Sequence, residues 1–440
     1  MNILIINGLV IDPSQGLERQ SHLLIHEKNI AGIIEPSAFT LKGDRAVVKG
    51  YEGEEFTIID ANGKWVVPGL IDMHAHLRDP GYEYKEDIIT GTKAGASSGF
   101  TSICVMPNTK PVNDNKSVTM YMISKAKEYG YTNVFPICAV SKGSEGKELA
   151  EIYDLVEAGA VAISDDGKPV ASASLMRKAL LYVKPLGVSV IDHAEELSLS
   201  EAGYMNEGVE AVKLGLKGVP SSAESTMVAR DILLADETGS RLHVAHVSAS
   251  RSVELIRWAK KMYIPVTCEA TPHHFMLNES AVSGYDTNAK VNPPLRSEKD
   301  RQVILEAISD GTIDCIASDH APHSHGEKEI EFDKSLNGIS GIETVVGLSL
   351  KLFHEGIIDK KRFVQLLSIN PARIMKLKNK GTLVRGADAD VTIIDPEIKW
   401  VVDRNRFISK GKNTPFHGMK LRGRAFMTIV GGKISGNISA

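Results

Sequence analysis

The sequence contains little cysteine, and the few residues it has are scattered. Each of the four lies alone inside an apolar run: Cys104, Cys138, Cys268 and Cys315. No two of them form the Cys-x-x-Cys pair that is typical of zinc ribbons and redox motifs. We therefore expect small, buried, reduced side chains and no disulfide framework.

Long apolar runs are also absent. No window approaches the roughly 18 consecutive apolar residues of a membrane-spanning helix. Residues 1–14 have no basic start, no long apolar stretch and no small-residue cleavage site, so a secretory signal is not expected. Together with the cysteine usage, these absences predict a cytoplasmic protein.

An excess of charge of one sign is lacking as well. The 51 Lys and Arg residues nearly balance 55 Asp and Glu, which leaves a formal net charge of −4. Proteins that bind nucleic acid through bulk charge concentrate Lys and Arg to neutralise phosphates. Here short basic runs occur only at residues 404–412 and 420–424, where we expect solvated surface charge. The composition therefore argues against a nucleic-acid-binding protein.

What is present is a globular composition in a long chain. The 440 residues are 42% hydrophobic and 24% charged, which excludes disorder as the dominant state and supplies ample core. At about 150 residues per domain this length suggests two or three domains, although a single barrel can use more.

Both ends of the chain are rich in short β-like segments. Apolar or alternating runs separated by turn signals cover residues 2–11 and 21–34 near the start, and 390–394, 400–402 and 425–430 near the end. We therefore predict a small β-sandwich domain built from both termini, residues 1–66 and 376–440.

Between these ends, eight apolar, β-branched runs alternate with helical patterns. The runs are nearly continuous, as expected for parallel strands covered by helices. They cover residues 65–71, 101–106, 134–140, 161–164, 188–191, 242–247, 264–268 and 314–317. Helical patterns separate them, for example at 115–129, 146–158, 223–237 and 250–262. The alternation predicts an α/β fold with a (β/α)8 TIM-like barrel over residues 67–375.

Histidine is concentrated where the chemistry of such a barrel is expected. Ten of the 14 histidines lie between His74 and His325, and several directly follow an apolar run. In a barrel the catalytic groups sit at the carboxyl ends of the strands. The first run ends in His74 and His76, which alternation places on one face of a strand, where both can bind one metal ion.

Imidazole and carboxylate groups end four further runs: Asp165-Asp166, His193, His246 and Asp319. These are the ligand types that zinc and similar metals take, and only the closed barrel brings the positions together, so we predict a metal centre. Alternation allows one of the two adjacent aspartates to face the barrel mouth. Structural or ligand-orienting roles are expected for His243, His273, His274, His320 and Asp192, and a solvated position for His325.

These motifs resemble those of dihydroorotases of the longer bacterial class, within the amidohydrolase superfamily. The resemblance covers nearly the whole chain and is carried by residues 72–81, 165–167, 192–195, 318–323 and 386–390. The Asp-Asp-Gly sequence that ends the fourth apolar run makes the resemblance to these dihydroorotases specific. Hydantoinases, dihydropyrimidinases and allantoinases typically carry a carboxylated lysine there, whereas this chain has no lysine until Lys168.

The resemblance implies which residues form the site. An aspartate bridges the metals at the fourth strand of the longer dihydroorotases, which favours Asp166. The implied metal ligands are His74, His76, Asp166, His193, His246 and Asp319. Substrate contacts are implied for Arg78 and Asn108 on a carboxylate, for Asn292 and His323 at the ring side, and for backbone groups of Gly338. Judged from the residues alone, Asn108 and Asn292, both beside prolines, are also natural turn residues.

The activity that the resemblance implies is the interconversion of N-carbamoyl-L-aspartate and L-dihydroorotate in pyrimidine (UMP) biosynthesis. It implies Zn²⁺, one or two ions per subunit, to favour deprotonation of the hydrolytic water, and Asp319 as base and then acid. A homo-oligomer, most simply a dimer, is expected on general grounds. Association with aspartate transcarbamoylase is left open by the sequence.

Two other functions remain as alternatives. The first is a cyclic amidohydrolase of the hydantoinase, dihydropyrimidinase or allantoinase type, against which Arg78 and the missing bridging lysine argue. The second is a non-catalytic scaffold for aspartate transcarbamoylase, against which the complete set of expected ligands argues.

Overall fold

A computed structural model of the chain describes residues 2–43 and 45–437. Seven strands lie before the barrel: β1 (Ile3–Asp12), β2 (Leu17–His26), β3 (Asn29–Ile34), β4 (Phe39–Lys42), β5 (Arg45–Val48), β6 (Thr57–Asp60) and β7 (Trp65–Pro68). β1 and β2 pair as an antiparallel hairpin. The Asp12 carboxylate accepts the Ser14 N–H, and Gly16 adopts the left-handed conformation (φ 68°), so the turn between them closes tightly.

Ten further strands follow: β8 (Leu70–Ala75), β9 (Phe100–Val105), β10 (Asn133–Cys138), β11 (Ala162–Ile163), β12 (Ser189–Asp192), β13 (Met205–Asn206), β14 (Gly218–Val219), β15 (Leu242–Val244), β16 (Val266–Ala270) and β17 (Cys315–Ile316). All except the separate pair β13–β14 form one parallel sheet in the order β8-β9-β10-β11-β12-β15-β16-β17. A parallel bridge between Ala75 and His320 joins the two ends of this sheet. The predicted eight-stranded barrel is thereby confirmed.

The last three strands return to the sheet begun by the N-terminus. They are β18 (Val391–Val401), β19 (Lys420–Val430) and β20 (Lys433–Asn437). The sheet order is β20-β19-β18-β7-β1-β2-β3, with β6 also paired to β1, while β4 and β5 form a separate hairpin. Apolar residues from both ends of the chain, among them Ile5, Leu23 and Ile393, pack in one buried cluster. The termini therefore share one mixed sheet, as the sequence predicts.

The run at residues 65–71, predicted as one strand, is divided between the two sheets at Gly69. The Gly69 N–H donates to Asp390 O at 2.9 Å, which ties this residue to the C-terminal segment. A Cβ on Gly69 would lie 2.2 Å from the Thr101 hydroxyl, so only glycine permits this close approach. The predicted boundary at residues 66 and 67 thus falls inside β7, and the division into domains stays a prediction.

Fourteen α-helices connect the strands within the described residues: α1 (Ile88–Ser97), α2 (Lys116–Tyr129), α3 (Ile152–Glu157), α4 (Ala173–Val183), α5 (Leu197–Ser200), α6 (Val209–Leu214), α7 (Ser221–Thr238), α8 (Ser250–Lys261), α9 (Pro272–Met276), α10 (Glu298–Asp310), α11 (His325–Lys328), α12 (Val345–His354), α13 (Lys360–Val364) and α14 (Asn370–Ile374). A π-helical turn over Gln365–Ile369 joins the last two.

The helix predicted over residues 146–158 begins only at Ile152, because Gly146 has a φ of 67° and Leu149 bridges to Ser141. None of the helices in the described part of the chain combines the length and apolarity needed to cross a membrane.

Small and medium apolar side chains fill the barrel interior. One buried cluster takes residues from seven of the eight barrel strands or the positions just after them, including Ile71, Met73, Cys104, Ile137, Ala162, Ile191, Ala245 and Cys315. All four cysteines are free and buried, as expected from their apolar surroundings. The barrel interior is therefore a packed core.

Candidate active site

The six residues predicted as metal ligands lie at the carboxyl ends of five barrel strands. His74 is the penultimate residue of β8, His76 directly follows that strand, and Asp166 follows β11. His193 directly follows β12, His246 follows β15, and Asp319 follows β17. Since parallel strands in a closed barrel end at the same rim, side chains far apart in sequence reach one place.

A local irregularity in β8 presents its two histidines. The pairing of β8 with β9 shifts register between Asp72 and Ala75, which marks a β-bulge. The bulge lets Met73 pack inside the barrel while the next residue, His74, reaches the aspartates at the mouth. Strict alternation alone would not place these adjacent side chains in these positions.

Asp166 lies at the centre of the cluster. Its Oδ1 is 3.4 Å from His74 Nε2, and its Oδ2 is 3.4 Å from His76 Nε2. His246 Nε2 is 3.6 Å from Oδ1, and His193 Nδ1 is 3.9 Å from the same oxygen. One carboxylate thus faces all four histidines.

Asp319 lies beside the histidines of β8. Its Oδ1 is 3.2 Å from His76 Nε2 and 3.6 Å from His74 Nε2. On the other side of the cluster, His193 Nδ1 and His246 Nε2 are 3.0 Å apart. All six residues that the sequence singles out are therefore within contact distance of another member of the group.

The donors suit a divalent metal ion. Within this cluster, two groups have ligand atoms close enough to hold one ion, His74 with His76 and Asp319, and His74 with Asp166 and His246. His74 Nε2 and Asp166 Oδ1 are buried and have no hydrogen-bond partner within the described residues. Buried polar atoms normally have partners, so a shared cation between these atoms fits the donor set.

The histidines strongly perturb both aspartates. Burial opposes ionisation of Asp166, but the charge of His74 and the close approach of His246 and His76 hold its pKa well below the usual range. Asp319 is likewise buried, and its contact with His76 lowers its pKa. Both side chains are therefore carboxylates at neutral pH, able to accept protons or bind cations.

Asp166, and not its neighbour, faces this cluster. The Asp165 carboxylate accepts the N–H groups of Val140 and Ser141, at 2.9 and 3.1 Å, and a hydrogen bond from the Ser141 hydroxyl. Asp165 thus fastens the loop after β10 to the loop after β11. Asp166 is therefore the one of the two adjacent aspartates that lies at the barrel mouth.

Glu269 supports the cluster from below, and the sequence analysis did not identify it. It lies in β16, and its two oxygens contact different histidines: Oε1 is 2.6 Å from His74 Nδ1, and Oε2 is 3.2 Å from His243 Nε2. Burial opposes ionisation, but the two histidines hold the pKa of Glu269 below its usual range. Such a carboxylate orients the ring of His74 so that Nε2 faces the site. A buried acid inside a barrel strand is the signal that could have revealed it.

A cavity of about 210 Å³ opens above the cluster. All five residues predicted to contact substrate line it, namely Arg78, Asn108, Asn292, His323 and Gly338. Five of the six predicted ligands also line it, and His74 lies buried beneath them. Four of the lining residues were not predicted to contribute: Gly167, Ala321, Leu336 and Asn337.

Arg78 is placed by a strained backbone. Its φ of 59° is in the left-handed region, which a residue with a side chain rarely adopts. Its Nε donates to Pro322 O at 3.3 Å. Burial lowers the pKa of its guanidinium, while the carboxylates of Asp319 and Asp166 oppose that shift. Arg78 thus presents a partly buried guanidinium at the wall of the cavity, where the two carboxylates favour its charged form.

The neutral side chains around the cavity are held by neighbours. Asn108 Oδ1 is 2.8 Å from His76 Nδ1, and Asn292 Nδ2 donates to Glu195 at 2.9 Å. His323 Nε2 contacts Asn337 O at 2.8 Å, and burial lowers the pKa of His323 to about 3. A neutral His323 therefore donates from Nε2.

The backbone N–H and carbonyl of Gly338, which the resemblance assigns to substrate contact, are hydrogen-bonded within the protein. The N–H donates to Lys290 O at 2.9 Å, and the carbonyl accepts hydrogen bonds from Asn413 and Lys328. A Cβ there would lie 2.7 Å from both the Cβ and the carbonyl oxygen of Ala321. In this conformation Gly338 serves the cavity through its lack of a side chain, and a backbone contact with substrate stays a prediction.

Comparison with solved structures identifies the class of protein. The chain superposes on the L-hydantoinase of Arthrobacter aurescens with a TM-score of 0.87 at 25% identity, covering 99% of this chain and 96% of that one. A D-hydantoinase matches with a TM-score of 0.83 at 26% identity, covering 99% and 95%. A closed barrel, a sheet shared by both termini and a histidine–aspartate cluster at the barrel mouth define a hydrolase of the amidohydrolase class.

Sequence relatives narrow the class to one family. The chain is 53% identical to a dihydroorotase of Geotalea daltonii and 52% identical to one of Geobacter metallireducens, in each case over 434 residues and 99% of both chains. Residues 63–252 match the family model described as Dihydro-orotase-like. The chain belongs to the dihydroorotase family, as its motifs predict.

Proposed function

We infer that the chain catalyses the reversible closure of N-carbamoyl-L-aspartate to L-dihydroorotate, a step of pyrimidine (UMP) biosynthesis. The observation that carries this inference is the pairing of Arg78 with the Asp166-centred cluster across one small cavity. Both ring-closed and ring-open substrates bear a carboxylate that a guanidinium can bind through two parallel hydrogen bonds. The family relationship supports the same activity.

We propose that His74, His76, Asp166, His193, His246 and Asp319 hold Zn²⁺, one or two ions per subunit. Support comes from the imidazole and carboxylate donors, their spacing and the unpartnered buried atoms of His74 and Asp166. A divalent cation there supplies positive charge that favours deprotonation of water and polarises the ring carbonyl.

Proton transfer is assigned to Asp319. During ring opening, this carboxylate accepts the proton of the attacking water as the water oxygen bonds to the ring carbonyl carbon. When the carbon–nitrogen bond breaks, Asp319 delivers that proton to the leaving nitrogen. Ring closure follows the reverse order. The ionised state of Asp319 and its place at the cavity wall support this role.

Binding of substrate is assigned to the other lining residues. Arg78 and Asn108 hold the carboxylate, while Asn292 and His323 contact the ring side. Asn108 also accepts a hydrogen bond from His76, and Asn292 contacts His193 Nε2 at 3.2 Å, so each links the substrate to a ligand histidine. These contacts orient the scissile amide toward Asp319.

An ultraviolet assay of dihydroorotate opening, with metal content measured on the same sample, tests the proposed function. Hydantoin, dihydrouracil and allantoin are assayed beside it, because the structural neighbours include hydantoinases. Turnover of dihydroorotate far above the other three is expected. A preference for hydantoin or dihydrouracil would establish the alternative amidohydrolase activity instead.

Removal of the metal distinguishes an enzyme from a scaffold. Dialysis against a chelator should abolish turnover, and addition of Zn²⁺ should restore it. A sample with no bound metal and no activity after Zn²⁺ addition would favour a non-catalytic partner of aspartate transcarbamoylase.

We propose in addition that the chain forms a homodimer, that it can associate with aspartate transcarbamoylase, and that it is cytoplasmic. Most soluble oligomers are symmetric homo-oligomers, and dimers are the most common, which supports the homodimer. The four free, buried cysteines suit the reducing environment of the cytoplasm. Light scattering of the chain alone and with the transcarbamoylase measures both assemblies.

A further inference from the structure

Two buried lysines bind the irregular segment that forms one wall of the cavity. Lys290 and Lys328 are 4% and 3% exposed. Neither ammonium group has a carboxylate within 4 Å among residues 2–43 and 45–437. A buried charge without a counter-ion is costly unless other dipoles stabilise it.

Backbone carbonyls supply those dipoles, and Lys290 binds the first half of the segment. Its Nζ donates to the carbonyls of Phe332, Asp333 and Ser335, at 2.6, 3.1 and 2.7 Å. The Phe332 ring lies over the same ammonium group, with its centroid 5.3 Å away. Three carbonyls of a segment without regular hydrogen bonding thus converge on one cation.

Lys328 binds the second half, beside the cavity. Its Nζ donates to Leu336 O at 2.8 Å and to Gly338 O at 3.2 Å. The carbonyl between them, that of Asn337, is bound by His323. Three successive carbonyls are therefore each held by a side chain, so the backbone orientation of the cavity wall is fully specified.

We propose that Lys328, assisted by Lys290, is a positioning residue that fixes the Leu336–Gly338 wall for substrate binding. The proposal rests on the proposed function for the identity of the substrate. It assigns these lysines no contact with the reacting atoms. Burial and the nearby charge of Lys290 lower the pKa of Lys328 to about 7, so the wall carbonyls only partly offset the cost of burying its ammonium group.

Lys328→Met keeps the length of the side chain but removes the ammonium group, and Lys380→Met is its matched control. Lys380 is also largely buried, with a side chain 9% exposed, but it pairs with Asp388 and Asp390 near β18. For the metal-loaded enzyme, Lys328→Met should raise KM for dihydroorotate about tenfold or more and change kcat less than about threefold, because hydrogen bonds to a charged donor are lost. Lys380→Met should leave both constants unchanged.

Trypsin provides a readout that does not depend on activity. Lys334 is exposed within the bound segment, with a side chain 60% exposed. Cleavage after Lys334, detected by the new N-terminus at Ser335, should be slow in the wild type and in Lys380→Met, and at least about tenfold faster in Lys328→Met, because proteolysis follows local opening. If Lys328→Met does not fold, Lys290→Met tests the other half of the segment by the same cleavage.

The outcomes separate the two proposals. A wild type that does not act on dihydroorotate overturns the proposed function, while the cleavage rates still decide the positioning role. Rapid cleavage at Lys334 in the wild type, unchanged cleavage in Lys328→Met (or in Lys290→Met where Lys328→Met does not fold), or a fall in kcat without a rise in KM in Lys328→Met overturns the positioning proposal.

Discussion

Among single residues, Asp166 does most to organise the site. Its two oxygens face four histidines from three different strands, so one carboxylate sets the spacing of the whole cluster. The sequence could predict this position because an acid pair ends a short apolar run. The supporting acid, Glu269, escaped prediction, because the seventh run was predicted to end at Cys268 and the strand extends to Ala270. Local patterns locate a strand end only within a few residues.

Replacement of Asp319 by asparagine tests the proton-transfer role. Asp319→Asn keeps the shape of the side chain but removes a basic oxygen, so kcat should fall by about 10³-fold, within the range lost with a general base. Steady-state kinetics measure the effect, and far-ultraviolet circular dichroism and metal analysis of the same variant show whether fold and metal are retained. Activity near that of the wild type would remove Asp319 from the role.

The geometry of the Arg78 guanidinium predicts weaker substrate binding even in a variant that conserves the charge. Arg78→Lys replaces a planar fork by a point charge, so KM for dihydroorotate should rise by about ten- to a hundredfold, with a smaller change in kcat. Arg19→Lys is the control, since Arg19 is exposed and paired with Glu35 in the terminal sheet. Unaltered KM and kcat in Arg78→Lys would contradict the assignment.

At the scale of elements, the sequence predicts the strands better than their junctions. Each of the eight predicted runs contains or overlaps a barrel strand, because apolar β-branched residues favour buried parallel strands. The division at Gly69 was not predictable, since the change of sheet depends on a close contact with Thr101 that has no local signal. The bulge in β8 is of the same kind: it depends on pairing with β9.

The close packing of the cavity wall predicts that a substitution at Gly338 impairs both substrate binding and stability. The φ of 140° at this glycine and the 2.7 Å approach to Ala321 leave no space for a methyl group. Gly338→Ala should therefore raise KM and lower the free energy of unfolding by about 1–3 kcal/mol, the usual cost of a strained backbone position. Urea denaturation and steady-state kinetics measure the two effects.

The control for this substitution is Gly326→Ala in α11. A Cβ on Gly326 meets no atom within 4 Å, and its φ is outside the left-handed region. The variant should retain both the stability and the KM of the wild type. Equal effects of the two substitutions would show that the wall at Gly338 is not specially constrained.

At the scale of the whole molecule, the barrel topology brings residues that are far apart in the sequence into one site. Barrel closure through Ala75 and His320 brings the first and last strands together, so Asp319 reaches His76 across more than 240 positions of sequence. Recognising the barrel therefore predicts that the candidate ligands meet at one rim, while the choice of Asp166 over Asp165 rests on the family resemblance. The contacts of the C-terminal segment with the barrel have no comparable repeat, and Asn413 beside the cavity was not predictable for that reason.

One such contact makes stability depend on pH. The partly buried Glu343 carboxylate, which precedes α12, accepts the N–H groups of Ile408 and Ser409, at 2.8 and 3.1 Å, and so joins the barrel to the C-terminal segment. Burial raises the pKa of Glu343 to about 7 from an ordinary value of 4.5. Between these values the folded state retains a proton that the unfolded chain has released. The contribution of Glu343 to the free energy of unfolding should therefore fall as pH rises from about 4.5 to 7, by at most about 3 kcal/mol.

Glu343→Gln removes this titration and isolates its effect. The variant loses one acceptor at every pH, but its stability relative to the wild type should improve steadily between pH 5 and pH 7, because only the wild type must ionise a buried acid. Urea midpoints of the metal-loaded proteins measure the difference, with Glu306→Gln on the exposed face of α10 as control. A difference that stays constant over this range would mean that the Glu343 carboxyl group is ionised throughout, and that the two N–H groups stabilise its charge in spite of burial.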